Sequence, residues 1–311
     1  MTDTRQPHEP PLAEETAAAA AAVVGPPREP AHTAGSRFRR GARQVLLALP
    51  LLALVMWTVA PFLVTMSVSF KERAEVFAQP GLIPASPTLE AYREVLSSES
   101  FIASFANSLI VGVGTTLLTL VIGVPAAYAF ARFNFRGRHL LLLFTLLPRL
   151  VPSLGLMVPI YRLAVATGML DRRITLIIVY TGMLLPLAVW LMVGFFQQIP
   201  REIEEAANVD GATLWSRLRY IVAPLAAPAM ITIGVLAFRE AWNEFTLVLV
   251  LTSSPGKRTL PFELYLMQGI EGIANFPGEA AFTLLTVLPF ILVYTRVEKY
   301  VVAGLVTGSG K

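Results

Sequence analysis

The chain of 311 residues contains no cysteine, only three histidines and few charged side chains. Without thiols it forms no disulfide bond and offers no thiolate ligand to zinc or to an iron–sulfur cluster. The histidines, His8, His32 and His139, are too scattered along the chain to indicate a histidine metal centre. Charged residues make up 15% of the sequence, whereas about a quarter of an average soluble domain is charged. The composition therefore argues against a soluble globular domain.

The sequence also lacks the motifs of nucleotide hydrolysis and of intramembrane catalysis. A phosphate-binding GxxxxGK[ST] loop is absent, since Gly256-Lys257 has no glycine at the required distance before it. No HExxH motif is present, and the only aspartates beyond the amino-terminal region, Asp171 and Asp210, fall in polar connections. We therefore expect no catalytic residue, no metal site and no cofactor bound by this chain.

Apolar residues are abundant: they account for 55% of the chain, and the mean hydropathy is +0.62. Several apolar runs are as long as the roughly 20 residues that cross a bilayer as a helix. They cover about residues 44–69, 106–131, 139–161, 174–197, 221–250 and 281–302. Prolines inside these runs are tolerated because neighbouring helices satisfy the freed carbonyl groups. The pattern predicts an all-α integral membrane protein with six transmembrane helices.

The beginning of the chain differs in composition from the rest. Residues 1–36 are rich in alanine, proline and glutamate, and the run Ala17–Ala22 is too short to span a bilayer. Such a composition buries too little apolar surface to fold. We therefore predict a disordered cytoplasmic tail over residues 1–36 and a transmembrane domain over residues 37–311.

The positions of the basic residues predict the orientation, because Lys and Arg are enriched on the cytoplasmic side. One side has Arg37, Arg39, Arg40, Arg43, Arg132, Arg136, Arg138, Arg201, Arg217, Arg219, Arg296 and Lys299. The other side has Lys71, Arg73, Arg93, Arg162, Arg172, Arg173, Lys257 and Arg258. This moderate asymmetry favours cytoplasmic termini, and the scatter among connections indicates membrane topology rather than a nucleic-acid surface.

The segment from Pro200 to Pro228 is polar and dense in charge between apolar runs. Pro200 is suited to begin a helix, and the carboxylates of its first turns complement the positive end of the helix dipole. Gly211 can adopt the left-handed conformation that ends a helix, and Asp210 or Thr213 can cap the next one. The segment is therefore predicted to form two short helices joined by an elbow.

Within this segment, Glu205-Ala206-Ala207, Asp210-Gly211-Ala212, Ile221 and Pro224-Leu225 together resemble the cytoplasmic coupling loop of ATP-binding-cassette importer permeases. Leu218 and Ala223 replace the aromatic residue and the leucine expected there. The resemblance covers roughly residues 45–311. It includes Asn107-Ser108-Leu109, Ala126-Ala127-Tyr128-Ala129, Trp242-Asn243-Glu244-Phe245, Arg258-Thr259-Leu260-Pro261 and Gly304-Leu305-Val306-Thr307-Gly308. The ending is similar to that of the second permease of maltose-type carbohydrate importers.

The resemblance implies a six-helix type I importer permease in the prokaryotic inner membrane. Its coupling loop, at about residues 198–222, docks on an ATPase subunit through Glu205, Ala206, Ala207, Asp210, Gly211 and Ala212. The implied partners are a second permease subunit, an ATPase dimer that uses ATP and Mg, and an extracytoplasmic solute-binding protein. The implied solute is a sugar or oligosaccharide; glycerol phosphate, amino acids and peptides are alternatives. A self-sufficient secondary transporter is a further alternative, although the two halves of the chain show no repeat.

Ionisable residues inside apolar runs are candidates for a translocation path, because charge at membrane depth is costly. Arg149 lies well inside the third run. Arg239, Glu240, Asn243 and Glu244 occupy a stripe roughly 140° wide on a helix, with Trp242 as an aromatic face. Such groups suit a hydroxyl-rich solute. The alternative is that Arg149 or Arg239 pairs with Glu240 or Glu244 only to hold helices together.

Overall fold

The computed structural model describes the backbone of residues 34–78, 81–269 and 275–309, and the chain divides into two units, Met1–Pro61 and Phe62–Lys311. Helix α1 begins at Ala34, in the first unit, and ends at Ser69, in the second unit. Three residues of the predicted tail, Ala34–Ser36, therefore belong to a helix. The remainder of the tail, residues 1–33, lies outside the described residues.

The second unit is built from helices of very different lengths. They are α2 (Arg73–Ala78), α3 (Glu90–Ser97), α4 (Glu99–Arg132), α5 (Arg138–Leu146), α6 (Ser153–Ala166), α7 (Arg173–Gln198), α8 (Arg201–Val209), α9 (Leu214–Leu225), α10 (Ala227–Asn243), α11 (Val248–Leu251), α12 (Leu260–Gly269) and α13 (Phe276–Ser309). Short 3-10 turns occur at Leu147–Leu150 and Pro255–Lys257, and the middle of α9 is a π-helical turn. No strand occurs among the described residues, which confirms the all-α prediction.

Four helical segments are long and apolar enough to cross a membrane: Ala48–Ser69, α4, α7 and Phe276–Val297. Two further apolar segments are bent helix pairs. Arg138–Leu150 meets Ser153–Ala166 at 95°, and Leu214–Leu225 meets Ala227–Asn243 at 78°. The described residues therefore hold four such helices, or six spans if each bent pair counts as one.

Three breaks lie inside predicted apolar runs: at Val151–Pro152, at Ala226 between α9 and α10, and at Glu244. The first and the last have a local cause. In the third run, Val151 has an extended backbone, because the proline that follows it disfavours helical geometry in the residue before it. In the fifth run, α10 ends at Asn243 and Glu244 is extended, so a continuous helix from 221 to 250 is wrong. The Glu244 carboxylate accepts hydrogen bonds from Leu247 N–H at 2.8 Å and Val248 N–H at 3.2 Å. Glu244 thereby begins α11 instead of extending α10.

Helix α4 lies at the centre of the packing, against α7 on one side and α10 on the other. Two glycines permit this close approach. A Cβ on Gly112 would lie 2.8 Å from the ring of Phe238, and one on Gly114 would lie 2.6 Å from Ile177 Cδ1. The helix therefore reaches two neighbours at once without side chains to separate them.

The connection between α6 and α7 is fixed to the connection between α11 and α12. Asp171 Oδ1 accepts from the N–H of Ser253 at 3.0 Å and of Ser254 at 3.1 Å, and the Ser254 hydroxyl donates to Oδ2. Burial, which raises the pKa of Asp171, is outweighed by these hydrogen bonds and by the charge of Lys257, so the pKa lies below the ordinary aspartate value. A charged Asp171 therefore ties together two connections at one end of the bundle.

Candidate coupling site and membrane-embedded polar residues

The polar segment forms two short helices joined by a turn, as predicted, and we call Pro200–Leu225 the elbow. After α8, the N–H of Gly211 donates to Asn208 O at 3.1 Å and the N–H of Ala212 donates to Ala207 O at 2.9 Å. This is the Schellman pattern, which needs a left-handed residue just past the helix. Gly211 provides it with φ +81°, which confirms the sequence prediction.

The second helix of the elbow begins with a side-chain cap. The Thr213 hydroxyl accepts from the N–H of Ser216 at 3.2 Å, so Thr213 and not Asp210 caps α9. The π-helical turn that follows buries Leu218 and Val222 among residues of α4, α7 and α10. Both positions face the core, so the leucine at 218 packs where the family resemblance leads one to expect an aromatic ring.

The outer surface of the elbow includes most of the predicted contact residues. Glu205, Ala206, Asp210 and Gly211 are exposed, and Ala212 is partly buried. Ala207 is buried, so of the neighbouring pair Ala206 and Ala207 only Ala206 lies on the exposed surface. Consecutive helical residues point about 100° apart, and the packed side of α8 takes Ala207. Exposed apolar side chains surround the turn, a feature that sequence reasoning missed: Ile203, Val209, Leu214 and Trp215.

The inner surface of the elbow is held by a buried carboxylate. Glu204 accepts from the Tyr128 hydroxyl at 2.5 Å and from Arg132 Nε at 2.6 Å. Arg132 Nη2 also donates to Ile199 O at 2.9 Å. Sequence reasoning assigned Glu204 only to the helix dipole. The available signal was the four-residue spacing of Tyr128 and Arg132, which places both on one side of α4.

The candidate path residues do not form one continuous stripe. Arg149 is exposed beside the α5–α6 bend, where its Nε donates to Met183 O at 3.4 Å. It lines a cavity of about 510 Å³ together with residues of α6 and α7. Glu240 lines a different cavity, of about 50 Å³, with Thr119 at its wall. Arg149 makes no ion pair with any described carboxylate, so the Arg149 pairing considered from the sequence is not formed.

The candidates on α10 separate into exposed and packed side chains. Arg239 Nη1 pairs with Glu240 Oε1 at 3.0 Å, and both side chains are at least half exposed. Asn243 Nδ2 donates to Arg239 O at 2.8 Å. Trp242 is only 4% exposed and packs against aromatic rings, so it offers no free face. Glu244 leaves the stripe, because it lies beyond the helix end.

Comparison with known proteins gives the family of the chain. Residues 119–306, more than half of the sequence, match the family described as "Binding-protein-dependent transport system inner membrane component". The chain belongs to this family. It is therefore a non-catalytic, multi-pass component of the inner membrane that works with a binding protein.

The permease is similar over most of its length to curated relatives. It is 34% identical to the trehalose transport system permease protein SugB of Mycobacterium tuberculosis, over 82% of this chain and 93% of the relative. It is 32% identical to the trehalose/maltose transport system permease protein MalG of Thermococcus litoralis, over 86% and 97% of the two chains. The elbow lies inside the region matched to the family.

A solved structure supports the fold of the permease. A chain of a bacterial ABC transporter involved in the import of the acidic polysaccharide alginate matches with a TM-score of 0.72 and 26% identity. The match covers 88% of this chain and 99% of the other. Among the residues that the structure describes in this permease, no group of three or more His, Asp or Glu side chains is placed to hold a metal ion.

Proposed function

We propose that this permease is one of two membrane subunits of an ATP-driven importer for a sugar or an oligosaccharide. The second permease subunit, a dimer of ATPase subunits that uses ATP and Mg, and an extracytoplasmic solute-binding protein complete the transporter. The observation that carries the proposal is the elbow, which presents exposed residues on one side and is fixed by a buried ion pair on the other. A rigid, partly apolar projection of this kind suits a cleft on a partner protein.

The proposed topology has six spans, with each bent helix pair counted as one, and places both termini and the elbow in the cytoplasm. The basic residues between the second and third spans support this orientation, as do those of the elbow. Arg132 is part of this bias and also contacts Glu204, so the end of α4 and the elbow belong to one face of the bundle. The proposed domain boundary, near residue 36, separates an amino-terminal tail from this membrane domain.

Transport requires that the elbow respond to the ATPase. We take Glu205, Ala206, Asp210, Gly211 and Ala212 as its contact residues; Ala207, although in the same motif, supports them from the buried side. Closure of the ATPase dimer on ATP displaces the elbow and switches the bundle from an inward-facing to an outward-facing state. The binding protein then releases its solute into the membrane cavity, where exposed Arg149, Arg239, Glu240 and Asn243 are the candidate contacts.

The proposed solute class rests on the relatives. Permeases named for trehalose and for trehalose/maltose transport resemble this chain along most of their length, and the solved relative imports alginate. All three solutes are carbohydrates. Because selectivity is shared with the binding protein, importers of glycerol phosphate, amino acids or peptides remain the competing proposal.

Two exposed residues offer a matched test of the elbow. Val209 in the elbow is 88% exposed and Ile83, in the α2–α3 connection, is 87% exposed. We expect Val209→Glu to abolish co-purification of the ATPase subunit in mild detergent, because a charge enters the apolar contact surface. Ile83→Glu should leave it unchanged, since the same substitution falls on the opposite side of the membrane.

The same preparation tests the driving force. We expect membrane vesicles that contain the complete complex to take up the solute only when ATP is present on the side of the membrane where the ATPase subunits lie. ATP-independent uptake by the permease purified alone would refute the importer proposal and favour a secondary transporter. Equal ATPase recovery from Val209→Glu and wild type would refute the elbow as the contact.

A further inference from the structure

Helix α4 is tied at both ends to segments that are distant from it in the sequence. At its carboxyl end, Tyr128 and Arg132 contact Glu204 of the elbow. Near its amino end, Asn107 and Ser108 contact the segment Gly256–Leu260, on the opposite side of the bundle. Asn107 and Tyr128 each belong to a motif that carries the family resemblance. These two motifs therefore contact distant segments near opposite ends of the same helix.

The contact at the elbow is buried and strongly bonded. The side chains of Arg132 and Glu204 are 9% and 8% exposed, and no other ion pair among the described residues is buried on both sides. Hydrogen bonds between charged groups are about twice as strong as neutral ones. Since Glu204 also accepts from the Tyr128 hydroxyl, one carboxylate fixes α8 to two turns of α4.

The contact at the far end is made to the backbone. Asn107 Nδ2 donates to Gly256 O at 3.0 Å and to Arg258 O at 2.8 Å, and the Leu260 N–H donates to Ser108 Oγ at 2.8 Å. Asn107 and Ser108 are both buried. These bonds set the position of the whole segment, because they hold carbonyl and amide groups rather than mobile side chains.

The helix between these contacts is long and well supported. It has 34 residues, which corresponds to about 50 Å at the rise of an α-helix. It packs along both α7 and α10, where the missing side chains of Gly112 and Gly114 allow close approach. Close-packed elements of this kind move as units rather than deforming gradually.

We propose that α4 transmits the movement of the elbow to the Gly256–Leu260 segment, and that Glu204 is the positioning residue through which this movement enters α4. The inference rests on the proposed function, since the movement begins in an ATPase subunit. It adds a role for Tyr128, Asn107 and Ser108, which touch neither the ATPase nor the candidate path. The segment at the far end thereby receives a signal from the site of ATP hydrolysis.

The test uses the complete complex and the absence of native cysteine. Pro255, exposed directly before the Gly256–Leu260 segment, is replaced in the Pro255→Cys variant, and the new cysteine is labelled with an environment-sensitive fluorophore. ATP is then added to the complex in lipid vesicles, and the change in emission is recorded. We expect a clear ATP-dependent change in this parent and a change at least about 3-fold smaller after Glu204→Gln.

Three further variants make the test specific. Glu202→Gln, the same chemical change at an exposed site of α8, should keep the full emission change. Asn107→Leu, which removes the far-end contact while Glu204 stays intact, should lose it. Tyr128→Phe, which removes one hydroxyl group, should give an intermediate loss. Recovery of the ATPase subunit and the melting temperature are measured for every variant.

The proposal stands if Glu204→Gln and Asn107→Leu lose the emission change while ATPase recovery matches the parent and both variants stay folded at the assay temperature. It is overturned if either variant retains the full change. It is equally overturned if the loss always accompanies loss of ATPase recovery or unfolding at the assay temperature, because Glu204 then only holds the fold together. If the parent itself recovers no ATPase subunit, the proposed function fails instead, so the two failures are distinguishable.

Discussion

At the scale of single residues, the sequence makes Glu244 a candidate for the translocation path, whereas in the structure its carboxylate bonds the backbone at a helix break. Its carboxylate accepts from the Tyr180 hydroxyl at 2.6 Å and from the N–H groups of Leu247 and Val248. All the hydrogen bonds that it makes in the described structure serve the break between α10 and α11 and the contact with α7. Glu240, four residues earlier, is instead half exposed on the surface of α10.

We therefore predict that Glu244→Ala lowers the free energy of unfolding by about 1–3 kcal/mol, since it leaves polar groups without their acceptor. Glu240→Ala should change it by less than about 0.5 kcal/mol, as exposed substitutions do. Thermal unfolding of the purified permease in detergent measures both. Wild-type stability of Glu244→Ala together with lost uptake would show that this carboxylate serves the solute rather than the helix break.

At the scale of the elements, the elbow depends on one backbone conformation. Gly211 has φ +81° and its N–H donates to Asn208 O. Proline fixes φ near −65° and has no N–H to donate. Asparagine tolerates the left-handed region better than most residues do. A Cβ at this position meets no atom within 4 Å, so the effect of a substitution here comes from the backbone.

We predict that Gly211→Pro reduces uptake about 10-fold or more while the protein still inserts in the membrane, because α8 and α9 can no longer meet at their native angle. A 10-fold lower rate of uptake corresponds to roughly 1.4 kcal/mol of activation free energy. Gly211→Asn should keep most of the uptake. The measurements are uptake into vesicles and ATP hydrolysis by the same complex. Uptake that is equal for the proline and asparagine variants would contradict a role for this turn.

Sequence reasoning found the elements whose signal is local. Six apolar runs, the elbow helices and the left-handed Gly211 all follow from composition or from the properties of one residue. The bend at Val151–Pro152 was missed, because proline inside a membrane helix is compatible with both a straight and a broken span. The break at Glu244 was missed because it depends on hydrogen bonds of the Glu244 carboxylate, one of which reaches Tyr180 on α7. Glu204 was missed because the side of α8 that faces α4 is decided by tertiary packing, which the sequence of α8 alone does not reveal.

At the scale of the whole molecule, the orientation proposal can be tested with single cysteines in the cysteine-free chain. Arg136 is exposed between α4 and α5, and Ile83 is exposed in the α2–α3 connection. The bias of basic residues assigns Arg136 to the cytoplasm and Ile83 to the outside.

In intact cells or right-side-out vesicles, a membrane-impermeant maleimide should label Ile83→Cys at once and label Arg136→Cys only after permeabilisation. The reverse pattern would turn the elbow outward, away from any ATPase, and an importer of this kind could not work. Labelling of both positions from one side would instead mean that α4, the one proposed span between them, fails to cross.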